Sequence, residues 1–304
     1  MNSICAVVVT YNRLEMLKEC LASLDCQTAP CDILVINNSS TDGTREYLNR
    51  EAKVCHIHLK ENTGGAGGFN AGIKEALKRG YQYIWIMDDD TIPFPDTLEK
   101  LLEADRILKG NYGWLSSVAL WKDGRECRMN RQKLLKAFYT DIHLMRYGLV
   151  RAEQATFVSL FLKRETVLKH GLPIKDFFIW GDDIEYTRRL CVREKLPCYV
   201  AGQSRVTHAM KDNTGSSIAL DSPEKLGRYD LAFRNANFTY RQEGIPGFCF
   251  YVAYSGINIL RVISQAKDKK LLRCGIILKQ MVLGLFFNPK VEYVDGAGHG
   301  KKQG

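Results

Sequence analysis

Tyr83–Pro93, reading Tyr-Ile-Trp-Ile-Met-Asp-Asp-Asp-Thr-Ile-Pro, constrains this chain more than any other stretch, because an uncharged run of strand formers meets three carboxylates without a break. Such a run reads as a central strand, and its end at Asp88 sets the acids at the carboxyl edge of a sheet. Open α/β sheets bind ligands at that edge. Asp88 and Asp90, two apart on an extended segment, point the same way, and neighbouring carboxylates repel unless positive charge lies between them. A hard divalent cation with oxygen ligands would satisfy them. Taken alone, the triplet is equally well read as an acidic turn, with Asp96 capping a helix from Thr97 to Leu108.

The residues before the triplet alternate strand and helix. Ile4 to Thr10 forms a strand closed by Tyr11-Asn12-Arg13, followed by an amphipathic helix from about Leu14 to Leu24. Asp32 to Asn37 is a second strand, and the turn Asn38 to Gly43 caps a helix over Thr44 to Arg50. Val54 to Leu59 is a third strand. The glycine-rich loop Asn62 to Asn70 leads into a helix over Ala71 to Arg79. This spacing implies right-handed crossovers and a mostly parallel sheet, so that residues 1–110 form a nucleotide-binding half-fold. The glycines are out of register for a dinucleotide fingerprint, and no Gly-Lys-Ser/Thr follows for a P-loop. They permit close approach of a ligand to the start of a helix, where amides favour anions, or simply a tight turn.

Past Tyr112 the alternation breaks. Gly113 to Trp121 and Thr156 to Lys163 read as strands around a basic excursion containing Arg125, Arg128, Arg131, Lys133 and Lys136. A second acidic constellation lies in Phe177 to Arg189, with Asp182, Asp183 and Glu185 at a helix start behind Trp180 and Gly181. Acidic capping explains the charges. The aromatic and the glycine beside them fit a binding wall and a close approach. Leu196 to Ala201 and Ser204 to His208 read as two short strands, and His208 is the best further metal ligand downstream of both acidic motifs. A helix over Tyr229 to Arg241 precedes an aromatic-rich segment, Pro246 to Ile263, and a basic one, Lys267 to Lys279. The tail from Gly296 is expected to be disordered.

The net charge of +9 in 304 residues suits phosphorylated substrates or an anionic membrane surface. No nucleic-acid-binding signature accompanies it, so no nucleic acid partner is expected. Ten scattered cysteines without a Cys-x-x-Cys pair, and a strand directly after Met1, point to the cytoplasm and against a zinc or disulfide framework. No apolar run reaches the roughly 20 residues that span a bilayer.

In their order, Thr10-Tyr11-Asn12-Arg13, Asn38 to Gly43, Asn62 to Asn70, Asp88-Asp89-Asp90, Trp180 to Tyr186 and His208 resemble the family 2 inverting glycosyltransferases of the GT-A fold. The triplet, Trp-x-Asp-Asp-x-Glu-Tyr and a later His are similar to the bacterial galactofuranosyltransferases and related rhamnosyltransferases. Two departures are Asn38, where many members carry an aspartate that grips uracil, and Asp182, where many carry Glu. The resemblance implies a metal-dependent transferase moving galactofuranose from UDP-galactofuranose, or rhamnose from dTDP-rhamnose, to a lipid-linked or glycan acceptor. Thr10, Asn12, Arg13, Asn38, Asn62, Gly65 and Asp89 would bind the donor. Asp88, Asp90 and His208 would hold Mn2+ or Mg2+. Asp183 would be the general base, and Trp180, Asp182 and Glu185 the acceptor wall.

The implied layout is a catalytic domain over 1–240, with an acceptor-binding half at 111–240. A helical segment at 241–295 would associate with membrane or form a homo-oligomer. Phe248, Phe250, Tyr251, Tyr254, Ile257, Ile259, Leu260 and Ile263 would supply its apolar surface, and Lys267, Lys269, Lys270, Arg273 and Lys279 its charge. That would make the chain peripheral on the inner face of the plasma membrane. A nucleotidyltransferase and a non-catalytic sugar-binding module are the competing readings.

Overall fold

A computed structural model describes residues 3–294; the expected disordered tail from Gly296 lies outside them. β1 (Ile4–Thr10), β2 (Asp32–Asn37), β3 (Cys55–His58) and β4 (Tyr83–Asp88) pair in parallel in the order β3-β2-β1-β4. They are connected by α1 (Leu14–Asp25), α2 (Thr44–Arg50) and α3 (Gly64–Lys78). The two faces of β1 pack separately: Cys5, Val7 and Val9 meet Phe69, Ile73 and Leu77 of α3, whereas Ala6 and Val8 meet Leu17, Leu21 and Leu24 of α1. Burial on both faces is why β1, β2 and the body of β4 are nearly continuously apolar, unlike the edge strand β3.

α3 begins at Gly64, seven residues before the expected helix start at Ala71. Its glycines seat the helix against the sheet. A Cβ at Gly68 would lie 2.5 Å from Val9 Cγ1, and one at Gly72 would lie 2.4 Å from Val7 Cγ1. Most of the stretch read as a loop is therefore a packed helical face.

β5 (Thr91–Pro93), α4 (Thr97–Leu108), β6 (Leu115–Leu120), β7 (Lys133–Leu134), β8 (Leu149–Gln154), β9 (Leu160–Lys163), α5 (Arg164–His170), α6 (Asp182–Arg188) and β10 (Tyr199–His208) follow. The sheet continues from β4 through β9, β6, β10 and β8 to β7, with β5 on β10. Only β6 and β10 are parallel in this half, so the sheet is mixed rather than mostly parallel. Parallel pairing needs a crossover, usually a helix. Past Leu120 several connections are short 3-10 turns or loops instead. The two short strands expected before His208 are one, β10, with an irregularity between Ala201 and Arg205 against β6.

α7 (Gly227–Arg241), α8 (Gly244–Gln265) and α9 (Lys270–Phe286) pack together around Tyr229, Phe233, Val262 and Ile277. The helical unit thus starts at α7, ahead of the boundary expected at 240. Beyond it the chain returns to the catalytic half: Leu172 N donates to Glu292 O at 2.8 Å, and Phe287 packs on Phe177 and Phe238.

α8 and α9 bury polar side chains alongside Val262, Ile276 and Ile277 and leave many of their apolar ones exposed. Their buried positions include Tyr251, Ser255, Asn258, Arg273 and Gln280, while Ile245, Leu260, Leu271 and Phe286 are 80%, 66%, 90% and 77% exposed. Two residues expected on the surface are therefore corrected. Tyr251 is fully buried, and Arg273 is buried with its Nη1 donating to Ile218 O at 2.6 Å and Asp221 O at 2.9 Å. α8 is, by length and composition, long and apolar enough to cross a bilayer, against the expectation that no apolar run reaches that length. Its buried polar residues Tyr251, Ser255 and Asn258 share one face, whereas Arg261 and Ser264 stand exposed on the other side among the apolar side chains.

Candidate active site

β1, β2 and β4 end at one edge of the sheet, where Val9 pairs with Asp88 and Thr10 with Asn37. The turn Asp89-Asp90 leads into β5, which runs antiparallel to β10 so that Thr91 pairs with His208. This brings an imidazole 118 residues away to the acids: His208 Nε2 lies 2.9 Å from Asp90 Oδ1. Ligand atoms of Asp88, Asp90 and His208 all lie within 4.8 Å of one another. Burial and the neighbouring Asp90 push Asp88 up to about 8. Burial alone would lower His208, but the bond to Asp90 and the charges of Asp90 and Asp88 bring it up to about 10. Asp90 is held below its usual range against its own burial by His208 and Arg13. On its far side, His208 Nδ1 donates to Asn130 Oδ1 at 2.7 Å, which leaves Nε2 facing the carboxylates. Two crowded carboxylates and an oriented imidazole nitrogen are a donor set that fits a divalent cation.

The expected donor-binding residues gather at the same edge, several of them tied to one another. Arg13 Nη1 reaches Asp90 Oδ2 at 2.6 Å and Asp89 Oδ1 at 3.3 Å, and Thr10 Oγ1 donates to Asp89 Oδ2 at 2.7 Å. Asp89 thus braces the end of β1. Asn12, at φ +53, accepts from Thr41 N at 2.7 Å, joining the loops after β1 and β2. Asn38 is a correction. Its buried amide donates to Asn62 Oδ1 and Gly64 O and accepts from Thr63 N and Oγ1, so it shapes the entry to α3 instead of facing a base. At Gly65 a Cβ would meet nothing within 4 Å, which leaves open space over the helix start.

The second acidic motif opens α6. Burial, Asp183 and also Asp88 push Asp182 well above the usual carboxylate range, so Asp88 and Asp182 are near enough to interact. Burial pushes Asp183 up to about 6 against the lowering amides of Ile184 and Gly181, with Ile184 N 2.7 Å from its Oδ1. Glu185, expected in the acceptor wall, is a correction. It is buried in an ion pair with Arg189 (Nε to Oε1 2.9 Å), whose guanidinium also caps His170 O and Leu172 O. A carboxylate committed in this way is not offered to a ligand. Trp180 stacks edge-on against Tyr229 of α7 at 5.1 Å. Phe178 and Trp180 both have φ +64, a conformation that costs a non-glycine residue about 1–3 kcal/mol.

Asn130, in the basic excursion, and Asn235, on α7, were not legible as site residues. The only trace of Asn235 in the sequence is a polar position one turn before Phe238 on the same helical face.

Residues 5–112 match the family model "Glycosyl transferase family 2". The chain is 26% identical over 255 residues to the galactofuranosyltransferase GlfT1 of Mycolicibacterium smegmatis, covering 80% of this chain and 84% of that one. It is 26% identical over 282 residues to the dTDP-rhamnosyl transferase RfbF of Shigella flexneri, covering 88% and 91%. The solved structure of GalNAc-T7 with UDP, GalNAc and Mn2+ superposes with a TM-score of 0.56 at 12% identity, over 84% of this chain and 54% of that one. S. aureus TarS does so with 0.52 at 14%, over 93% and 43%. The chain spans about half the length of these two structures, and at such identity they speak for the fold alone. Over residues 5–112 the chain belongs to glycosyl transferase family 2, and it is a glycosyltransferase built on the GT-A fold.

Proposed function

We propose that this chain is a metal-dependent inverting transferase that moves galactofuranose from UDP-galactofuranose to a hydroxyl of a lipid-linked glycan. The observation that carries it is a pair of acidic groups, Asp88/Asp90/His208 at the sheet edge and Asp182/Asp183 at the start of α6, near enough for Asp88 to act on Asp182 and with different carboxyl environments. Inverting transfer asks for such a division: one carboxylate takes the acceptor proton while a separate positive centre receives the leaving diphosphate. Asp88, Asp90 and His208 would hold Mn2+ or Mg2+, which when bound neutralises charge on the departing diphosphate. Asp183, poised near 6 and ionised at neutral pH, accepts the hydroxyl proton as the acceptor oxygen bonds to the anomeric carbon and the diphosphate leaves with the bonding pair. Arg13, half-exposed beside Asp89 and Asp90, is the positive side chain that would face the diphosphate. Thr10, Asn12, Asn62 and Gly65 shape the nucleotide side, and Trp180 and Asp182 the acceptor side.

The sugar is argued from the likeness to GlfT1, which extends through 80% of the chain. Rhamnose from a dTDP donor is the second reading, favoured by the likeness to RfbF over 88%. Incubation with both donors, Mn2+ and a lipid-linked acceptor, read by mass spectrometry, separates them. Mass gain from UDP-galactofuranose alone supports the first reading, gain from dTDP-rhamnose alone the second, and gain from neither sinks both.

The acceptor's lipid fits the helical unit. The exposed apolar side chains of α8 and α9, with Lys267, Lys269, Lys270 and Lys279 exposed nearby, suit the headgroup region of an anionic leaflet. The polar face of α8 stays packed within the bundle, which favours lying on the membrane over spanning it.

A further inference from the structure

One buried amide governs the strained loop in front of Asp183. Asn235 on α7 is fully buried, and its Nδ2 donates to three carbonyls of that loop: Trp180 O at 2.7 Å, Phe177 O at 3.0 Å and Ile179 O at 3.3 Å. Its Oδ1 accepts from Arg234 Nε at 3.0 Å and Nη2 at 2.9 Å, which turns the NH2 group toward the loop, and Arg234 Nη2 also donates to Asp176 O at 3.1 Å. From the opposite side, Ala66 N at the start of α3 donates to Phe178 O at 3.1 Å. Gly64 has no room for a side chain here, since a Cβ would fall 1.9 Å from that same oxygen. The loop is thus clamped between the nucleotide half and the C-terminal helices while Phe178, Trp180 and Gly181 all hold positive φ.

We propose that Asn235 is a positioning residue for the transfer reaction. It holds Phe177–Trp180 in this conformation, sets the side of the cleft that Trp180 presents, and fixes the direction in which α6 delivers Asp183. A backbone that L-residues avoid does not persist unless its surroundings over-determine it. A single NH2 bonded to three carbonyls, with its own oxygen fixed, does that without touching substrate. This rests on the reading of Asp183 as the base.

The test is Asn235→Asp, a near-isosteric change that replaces the donor with an acceptor facing three carbonyls, together with Asn235→Ser, which keeps a shorter donor should the first variant not fold. The expected result for Asn235→Asp is a kcat lower by about 10²-fold, the loss that misplacement on the order of 1 Å brings. Asn235→Ser should fall between it and the parent. The dissociation constant for nucleoside diphosphate should stay within twofold, and amide hydrogen exchange should quicken at 177–183 but not in β1 or β4. Unchanged exchange at 177–183, an unchanged kcat, or diphosphate affinity falling in step with kcat would overturn the proposal. The exchange readout needs no substrate, so absence of transfer by the parent protein would refute the proposed function while still leaving Asn235 decided.

Discussion

Asp183 is where the chemical claim is most exposed to test. Asp183→Asn should lower kcat by about 10²- to 10⁴-fold while nucleoside diphosphate still binds, because it removes the proton acceptor alone. With the parent protein, kcat/KM should rise with pH through about 6 as this carboxylate ionises. The same shift has a stability consequence of definite sign. A carboxyl whose folded pKa is raised from 3.8 to about 6 loses stabilisation as pH rises across that window, so the neutral Asn variant should melt higher than the parent at pH 8. A lower melting temperature there would contradict the burial ascribed to Asp183. At the metal group, Asn130→Ala should weaken Mn2+ binding in a calorimetric titration by about 10- to 100-fold, since it frees the ring that Nδ1 anchors. The acids were legible because charge abutting an apolar strand has few explanations. Asn38 and Glu185 were misread because their partners, Thr63 with Gly64 and Arg189, are assigned by geometry that a motif does not carry.

Among the elements, α3 shows how a composition cue misleads. Four glycines between 64 and 68 suggested a loop, whereas Gly68, with Gly72 a turn later, is part of the surface that lets a helix lie against Val9, Val7 and Ile36. Gly68→Ala should destabilise the fold by about 1–3 kcal/mol, measured by denaturant unfolding, as overpacking does. Parity with the parent would mean that the helix is not seated this closely. α8 invites the opposite substitution. Leu260→Asp with Ile263→Asp touches only exposed side chains, so stability should hold within about 0.5 kcal/mol. Flotation with anionic vesicles should nevertheless fall sharply. Retained flotation would remove α8 from the membrane contact. Aromatic and aliphatic content made the Pro246 to Ile263 segment visible in the sequence, but which face of α8 is covered depends on α7 and α9.

For the whole molecule, the sequence conveyed the parallel half and lost the other. β1 to β4 are joined in turn by α1, α2 and α3, so topology followed from pattern. β8, β9 and β10 are placed by pairings across long separations, and β9 slips between β4 and β6 with no local sign that it will. That insertion and the β5–β10 pairing unite the two halves, bringing His208 to Asp90 and, through α7, Asn235 to the loop before Asp183. The functional account therefore depends on two separated groups acting in one cleft, a base on one side of the reacting carbon and a leaving-group site on the other. The configuration at the anomeric carbon of the first-formed product, followed by proton NMR with UDP-galactofuranose, Mn2+ and a lipid-linked acceptor, reports on that arrangement. A product anomer opposite to the donor's is expected, and a product that retains the donor's configuration would contradict it.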